Sequence, residues 1–136
     1  MVFNSDTKVR TSSTGSNVYP DVSVVCGKPM SHRGSDDILI NPIVVIEVLS
    51  PSTEGYDRGI KFELYREIAS LQDYILVHTD SVHVENYTRQ AEGWLFRDYR
   101  GADSRVPIPS IDCSVLLGDV YKGVIDAELS AAGTSS

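Results

Sequence analysis

Two carboxylates in this sequence lie where charge is costly, and a lysine follows them. Asp21 and Glu47 each stand inside an apolar run of strand length, within VYPDVSVVC and PIVVIEVLS respectively. A bare carboxylate among such neighbours should be protonated, paired or bound to a metal. Two adjacent strands could bring both acids within reach of one hard cation, which prefers oxygen ligands. Lys61 could then orient or deprotonate a metal-bound water, or stabilise the charge that grows on a phosphate.

The first element that must position these side chains is a strand. The β-branched run from Ile43 to Leu49 predicts a buried strand, and period-2 alternation places Val45, Glu47 and Leu49 on one face. Pro51 ends this strand, because proline cannot donate a hydrogen bond to a ladder. A turn should therefore follow within a few residues of Glu47.

The second element is a helix, predicted from Thr53 or Glu54 to Ile68 with Ser52 or Thr53 as its N-cap. Its buried stripe consists of apolar residues at helical spacing, namely Ile60, Leu64, Tyr65 and Ile68. Asp57, Lys61 and Tyr65 are spaced four residues apart and share a face. Tyr65 could form a hydrogen bond near Lys61 or pack in the helix stripe, and we favour packing. The strand, the turn and the helix together can aim Glu47 and Lys61 at one point.

The rest of the chain alternates short strands with polar turns, which predicts one domain of α/β or α+β class. Strands are predicted over residues 8–10 (at a sheet edge), 18–26, 71–78, 81–88, 94–99 and 106–108, with a hairpin turn at 79–80, a loop over 27–37 and a small helix over 116–126. We divide the chain into a partly flexible N-terminal strand and loop (1–17), the domain itself (18–128) and a disordered tail (129–136).

The amino-acid composition limits the functions and cellular locations that this chain can have. A chain of 136 residues with 41% hydrophobic content can build one core. The net charge of −7 argues against a broad cationic surface for nucleic acid or anionic membrane, although an acidic metal pocket is compatible with a nuclease. No run is long enough to span a bilayer, and Cys26 and Cys113 form no CxxC. We therefore predict a cytoplasmic protein with free thiols and no membrane partner.

Other groups that could do chemistry fit structural roles better. His78 and His83 flank the predicted hairpin turn, and they could act as ligands only if the strand register lets them meet. Lys28, Arg58 and Arg66 could contact phosphates, but scattered surface cations are usually solvated. We interpret the two histidines as structural and the three cations as solvated.

Three segments resemble the Uma2 family, formerly a domain of unknown function: YPDVSVVC, PIVVIEVLSPSTEGYDRGIKFELYR and SLQDYILV. The resemblance covers the chain from about Tyr19 to Tyr87. That family is similar in fold to the PD-(D/E)xK restriction-endonuclease superfamily. The resemblance therefore implies a restriction-endonuclease-like mixed β-sheet with one main helix packed on it, in the α/β class.

By that resemblance Asp21 stands for the aspartate of the PD motif and Glu47 for the second acidic residue. The lysine usually lies two residues after that acid, where this chain has Leu49, so Lys61 on the helix would be a migrated lysine. The resemblance implies that Asp21 and Glu47 bind Mg²⁺ (or Mn²⁺), and that both acids and Lys61 catalyse hydrolysis of DNA phosphodiesters.

Members of the family usually carry an N-terminal helical region and a strand before the YPD segment, and this chain begins too late to have them. We expect that N-terminal region to be missing, which would leave one sheet face uncovered and favours a homodimer. Two interpretations follow: a magnesium-dependent endonuclease, or a catalytically inactive, truncated nuclease-fold protein that acts as a binding or assembly module. In the second, Asp21 caps a turn and Glu47 only pairs with Lys61.

Overall fold

The computed structural model describes residues 1–11, 17–32, 35–50 and 54–122. The strands in these ranges are β1 (Val2–Phe3), β2 (Lys8–Arg10), β3 (Asn17–Val18), β4 (Val22–Val24), β5 (Ser31–His32), β6 (Ser35–Leu39), β7 (Val44–Val48), β8 (Asp73–Val77), β9 (His83–Gln90), β10 (Gly93–Arg100), β11 (Arg105–Ile108) and β12 (Cys113–Leu116). The helical segments are α1 (Glu54–Arg58), α2 (Ile60–Tyr65), a 3₁₀ turn (Pro109–Ile111) and α3 (residues 117–122). None of the helices described is long and apolar enough to cross a membrane.

The largest sheet has the strand order β1-β4-β7-β8-β9-β10. Strands β7 and β8 are parallel, and the other neighbouring pairs of this sheet are antiparallel. A parallel pair needs a crossover connection, which the segment containing α1 and α2 supplies. The carboxyl ends of β7 and β8 therefore lie at the same edge of the sheet, close to the start of the helical segment. The predicted mixed sheet with a helical layer is confirmed.

The predicted single helix over residues 53–68 is instead two short pieces. They meet at Gly59, whose backbone (φ −98°, ψ −92°) leaves the helical region. Ile60, the first residue of α2, is 61% exposed, so its place in the predicted buried stripe is wrong. Tyr65 and Ile68 are buried as predicted. The predicted N-cap residues, 51–53, lie outside the described residues.

An aromatic cluster holds α2 on the sheet. Phe62 lies parallel to Tyr74, with ring centroids 5.2 Å apart, and also contacts Tyr87 and Trp94. Each such aromatic pair stabilises the fold by about 0.5–1.5 kcal/mol, in addition to the contribution of the apolar area that it buries. The remaining buried residues of this core are aliphatic apart from one more tyrosine: Val9, Val18, Val25, Leu39, Val45, Leu49, Tyr65, Ile68, Leu71 and Leu76.

The opposite face of the sheet is covered by the β11–β12 hairpin and α3. Val106 and Ile108 of β11, together with Leu117 and Tyr121 of α3, share a core with four sheet residues. Those sheet residues are Val44, Ile75, Val77 and Val84. We expected one sheet face to be uncovered, and within the described residues this face is instead covered, because β12 pairs with β11 to form a hairpin that packs on it with α3. The first residue of the predicted helix, Leu116, is the last residue of β12.

A second sheet, with the order β3-β2-β6-β5, corrects three predictions. Strand β2 lies between β3 and β6, so it is not at an edge. The predicted loop over 27–37 contains β5 and the start of β6. The predicted strand over 18–26 is divided at Tyr19, Pro20 and Asp21 into β3 and β4, which belong to different sheets. Proline explains the division, since it has no N–H for a ladder.

The strands on the other side of β7 match their predictions more closely. Strands β8 and β9 form the predicted antiparallel hairpin, although they are joined by residues 78–82 rather than by 79–80 alone. Strand β10 extends the predicted strand over 94–99 by one residue at each end. The predicted tail, residues 129–136, lies outside the described residues.

Candidate active site

Glu47 is the centre of the candidate site. It lies near the carboxyl end of β7, on the helical face, and is only 3% exposed. Its Oε2 lies 2.5 Å from Lys61 Nζ, and its Oε1 accepts a hydrogen bond from the Tyr65 hydroxyl at 3.1 Å. Lys61 and Tyr65 are one turn apart on α2, so both reach down to the same carboxylate. The packing role that we predicted for Tyr65 is therefore incomplete, because its hydroxyl also holds Glu47.

Asp21 lies beside Glu47 at the bend that precedes β4. Because Val22 pairs with Ile46 across the antiparallel β4–β7 ladder, Asp21 comes next to Glu47. The Asp21 N–H donates to Glu47 Oε1 at 3.3 Å, and the Val48 N–H donates to Asp21 Oδ2 at 2.7 Å. The structure thus brings together the three residues singled out from the sequence, Asp21, Glu47 and Lys61.

The electrostatics of Glu47 follow from its burial. Desolvation raises the pKa of the Glu47 carboxyl above its ordinary value, and the charge of Asp21 raises it further. The hydrogen bond and positive charge of Lys61 lower the pKa, as does the Tyr65 hydroxyl, but they only partly offset burial. Glu47 therefore holds its negative charge at a cost, and an additional cation nearby would reduce that cost.

A second buried acid, Glu85, occupies the same face two strands away. Glu47 is paired with Leu76, and Leu76 with Glu85, so the three side chains form a row across β7, β8 and β9. Glu85 is 4% exposed and forms an ion pair with Arg58, at 2.6 Å between Glu85 Oε1 and Arg58 Nη1. We interpreted Arg58 as a solvated cation, and that interpretation was wrong. Glu85 was overlooked because its strand, HVENYTRQ, is polar and lacks the apolar run that marked Glu47.

The histidines meet at this second acid. The β8–β9 register ends with Val77 opposite Val84, which places His78 and His83 next to each other. Their rings are stacked, with centroids 4.1 Å apart and planes inclined by 13°. His78 Nε2 lies 3.2 Å from Glu85 Oε2 and 3.1 Å from Arg58 Nη2. Both rings are buried. The strand register that we named as the condition for their meeting is present.

One nitrogen of this cluster lacks a hydrogen bond. His83 Nε2 is buried and has no hydrogen-bond partner among the described residues. Asp98 Oδ2 lies 3.3 Å away but outside hydrogen-bonding geometry. Burial, followed by the neighbouring His78 and Arg100, lowers the pKa of His83. Together His78, His83 and Glu85 form a group that could hold a metal ion, with ligand atoms that lie within 4.8 Å of one another.

The remaining cations have structural roles or are exposed. Lys28 and Arg66 are exposed, as predicted. Arg89 instead reaches the end of the helical segment, where its Nε donates to the Leu71 carbonyl at 2.6 Å and its Nη2 donates to the Ile68 carbonyl at 2.9 Å. It thereby ties the turn that follows α2 to strand β9.

Comparison with known proteins places this chain in a family. Residues 1–115 match the model of the family Uma2, "Putative restriction endonuclease". The chain belongs to the Uma2 family. The chain is also similar to two uncharacterized proteins of Synechocystis sp.. The chain is 42% identical to slr1290 over 124 residues, and 33% identical to sll1609 over 106 residues. The matched part is 90% and 77% of this chain, but only 64% and 60% of the respective relatives.

A solved structure supports the fold of this Uma2 chain. It is a crystal structure from Anabaena variabilis, described as "a putative nuclease belonging to DUF820". The TM-score is 0.67, and the match covers 89% of this chain and 67% of that one. At 20% sequence identity this likeness shows the fold alone.

Proposed function

We propose that this Uma2 chain is a metal-dependent nuclease domain in which Asp21 and Glu47 bind a divalent cation and Lys61 assists phosphodiester hydrolysis. The observation that supports this most is the meeting of three chemically suited groups at the carboxyl end of parallel strands. Glu47 is buried, Lys61 Nζ is 2.5 Å from it, and the Asp21 N–H donates to it. Open α/β sheets commonly bind ligands at such strand ends.

The donors present fit Mg²⁺ or Mn²⁺. Both acids supply hard oxygen ligands, which these ions prefer. Asp21 Oδ2 accepts from the Val48 N–H, whereas Oδ1 accepts no hydrogen bond within the described residues and could bind the ion. When bound, such an ion lowers the pKa of a water ligand and neutralises phosphate charge. The negative charges of Glu47 and Asp21 would gain the counterion that burial makes valuable.

The remaining contacts assign roles to the chain itself. The Tyr65 hydroxyl and the Asp21 N–H both bind Glu47 Oε1, so they fix the orientation of that carboxylate. Lys61 is 14% exposed in its side chain, so its ammonium lies at the boundary between the buried acid and solvent. If a bound ion became the partner of Glu47, the Lys61 ammonium could contact a phosphate oxygen instead.

The test is cleavage of plasmid and linear DNA by the purified chain with Mg²⁺ or Mn²⁺, together with cation affinity measured by calorimetry. We expect Glu47→Gln to abolish cleavage and weaken cation binding, and Lys61→Met to reduce cleavage while cation binding persists. Glu63→Gln is the matched control, because Glu63 is an exposed glutamate on α2, the helix that carries Lys61. Cleavage that persists unchanged in Glu47→Gln would exclude the proposed site.

A second function, a non-catalytic binding or assembly module, is favoured by one observation. The Glu47–Lys61 pair satisfies its charges without an ion. In that case the chain would bind neither Mg²⁺ nor Mn²⁺ measurably and would not cleave DNA, and Glu47→Gln/Lys61→Met would leave all its binding properties unchanged. Calorimetry on that double variant separates the two functions.

A further inference from the structure

We infer that His78, His83 and Glu85 form a second cation site, selective for a transition metal such as Zn²⁺, which Arg58 occupies when no metal is bound. This site is separate from the Asp21–Glu47 pair and does not depend on the proposed nuclease function. Imidazole nitrogens suit Zn²⁺, whereas Mg²⁺ prefers an all-oxygen environment. The chemistry of the donors therefore distinguishes the two sites.

The distance between His78 and Glu85 is close to that of two ligands in a tetrahedral site. Zn²⁺ lies about 2.0–2.2 Å from nitrogen and oxygen ligands, which places those ligands about 3.4 Å apart. His78 Nε2 and Glu85 Oε2 are 3.2 Å apart, and one ligand atom from each of the three residues lies within 4.8 Å of the others. The stacked rings must rotate for both to face one ion, and the χ2 torsion of histidine has broad minima.

The buried His83 nitrogen is the observation that points independently to a ligand. His83 Nε2 is enclosed and lacks a hydrogen bond within the described part of the chain. Native proteins rarely leave such an atom without a water, an ion or another partner. Asp98 Oδ2 lies 3.3 Å from the same nitrogen and can supply a fourth ligand. A carboxylate oxygen of Asp80 lies 3.7 Å from His78 Nδ1, on the side where metal-bound histidines usually face an acid.

Charge balance explains the position of Arg58. Its guanidinium lies 2.6 Å from Glu85 and 3.1 Å from His78, so one positive charge already sits against the would-be ligands. A divalent ion in its place would be neutralised by Glu85 and Asp98 together. The Arg58 side chain is 31% exposed, which gives it a route to solvent. Metal and guanidinium should therefore compete for one set of ligands.

The experiment titrates the full chain, stripped of metal, with Zn²⁺ against a chromophoric chelator. A Cys26→Ser/Cys113→Ser background removes the two exposed thiols, which could also bind Zn²⁺. We expect one Zn²⁺ per chain, affinity at least about tenfold weaker in His83→Gln, and tighter binding in Arg58→Gln. Co²⁺ should give the visible absorption of a tetrahedral site in the unsubstituted histidine cluster. Glu47→Gln should leave these signals unchanged.

Two results would overturn the inference. The first is no stoichiometric Zn²⁺ or Co²⁺ binding by the cysteine-free chain, a result that requires no cluster variant to fold. The second is an Arg58→Gln variant, folded by circular dichroism, that binds Zn²⁺ no more tightly than its parent. Either result would make the cluster a permanent Arg58–Glu85 ion pair with two packed histidines.

Discussion

Removal of the Lys61 charge tests the electrostatics of the candidate site most directly. The Glu47 side chain is 4% exposed and that of Lys61 is 14% exposed, so Lys61→Met leaves a buried acid without its nearest cation. Loss of one partner of a buried pair costs about 3–5 kcal/mol in the free energy of unfolding. The Tyr65 hydroxyl and the Asp21 N–H still bind Glu47 Oε1, so we expect a value of about 3 kcal/mol at pH 8.

That cost should depend on pH in a defined direction. Burial already raises the pKa of folded Glu47 above 4.5, and loss of Lys61 raises it further. Between the unfolded and folded pKa values, the folded variant binds more protons than the unfolded chain. Its stability relative to the parent therefore falls as pH rises from the folded pKa of the parent to the higher folded pKa of the variant, by up to about 1.4 kcal/mol per pH unit. Below the folded pKa of the parent, the Glu47 carboxyl is protonated in both folded proteins, and most of the cost should disappear.

The assay is urea unfolding with EDTA, followed by circular dichroism from pH 4 to 8. Lys28→Met, at an exposed lysine, is the control and should change the free energy of unfolding by less than about 0.5 kcal/mol. Glu47→Gln/Lys61→Met should recover most of the loss, because no buried charge remains. A Lys61→Met cost below about 1 kcal/mol at every pH would refute the reasoning, since it would mean that Glu47 is effectively solvated.

Three further predictions concern other parts of the molecule. Tyr121→Phe should lower the free energy of unfolding by about 1–3 kcal/mol in urea, because the hydroxyl lies 2.6 Å from the carbonyl oxygens of His78 and His83 and accepts from the His83 N–H; a change below about 0.5 kcal/mol would contradict it. Arg89→Lys should cost about 1–2 kcal/mol in the same assay, because one ammonium cannot replace the forked contacts to two carbonyls; equal stability would show that those carbonyls are hydrated. We also predict a homodimer in sedimentation at micromolar concentration, and a monomer would show that the edge strand β10, with its exposed Leu95 and Phe96, needs no cover.

The site was predictable where its geometry is local. A β-branched run marked β7, and the turn and helix that follow limit where Lys61 can reach, so the meeting of Glu47 and Lys61 could be expected from spacing. The break at Gly59 could not, because glycine is tolerated within helices. Lys61 and Tyr65 both follow the break, on one helix, and both reach Glu47.

Features that depend on distant pairing were missed. Glu85, which forms an ion pair with Arg58 of α1, lies 27 residues away on β9, and nothing near Arg58 in the sequence indicates it. Strand β6 (SDDIL) is too polar to show a strand pattern, and β12 (CSVL) is too short. Both exist because a neighbouring strand supplies their ladder, β2 for β6 and β11 for β12. Tertiary context overrides weak local preference in such segments.

The crossover between β7 and β8 also has a consequence for the order of folding. The ion pairs of the two buried acids close loops of 14 residues (Lys61 to Glu47) and 27 residues (Arg58 to Glu85). The contact of the Tyr121 hydroxyl with His78 spans 43 residues. Because shorter loops close at lower entropic cost, we expect the transition state to contain β7, the helical pieces, β8 and β9 before α3 docks. Leu76→Ala should then slow folding, and Tyr121→Phe should mainly speed unfolding, in stopped-flow experiments. A chain that nucleates around these two ion pairs would still form them when its termini vary in length.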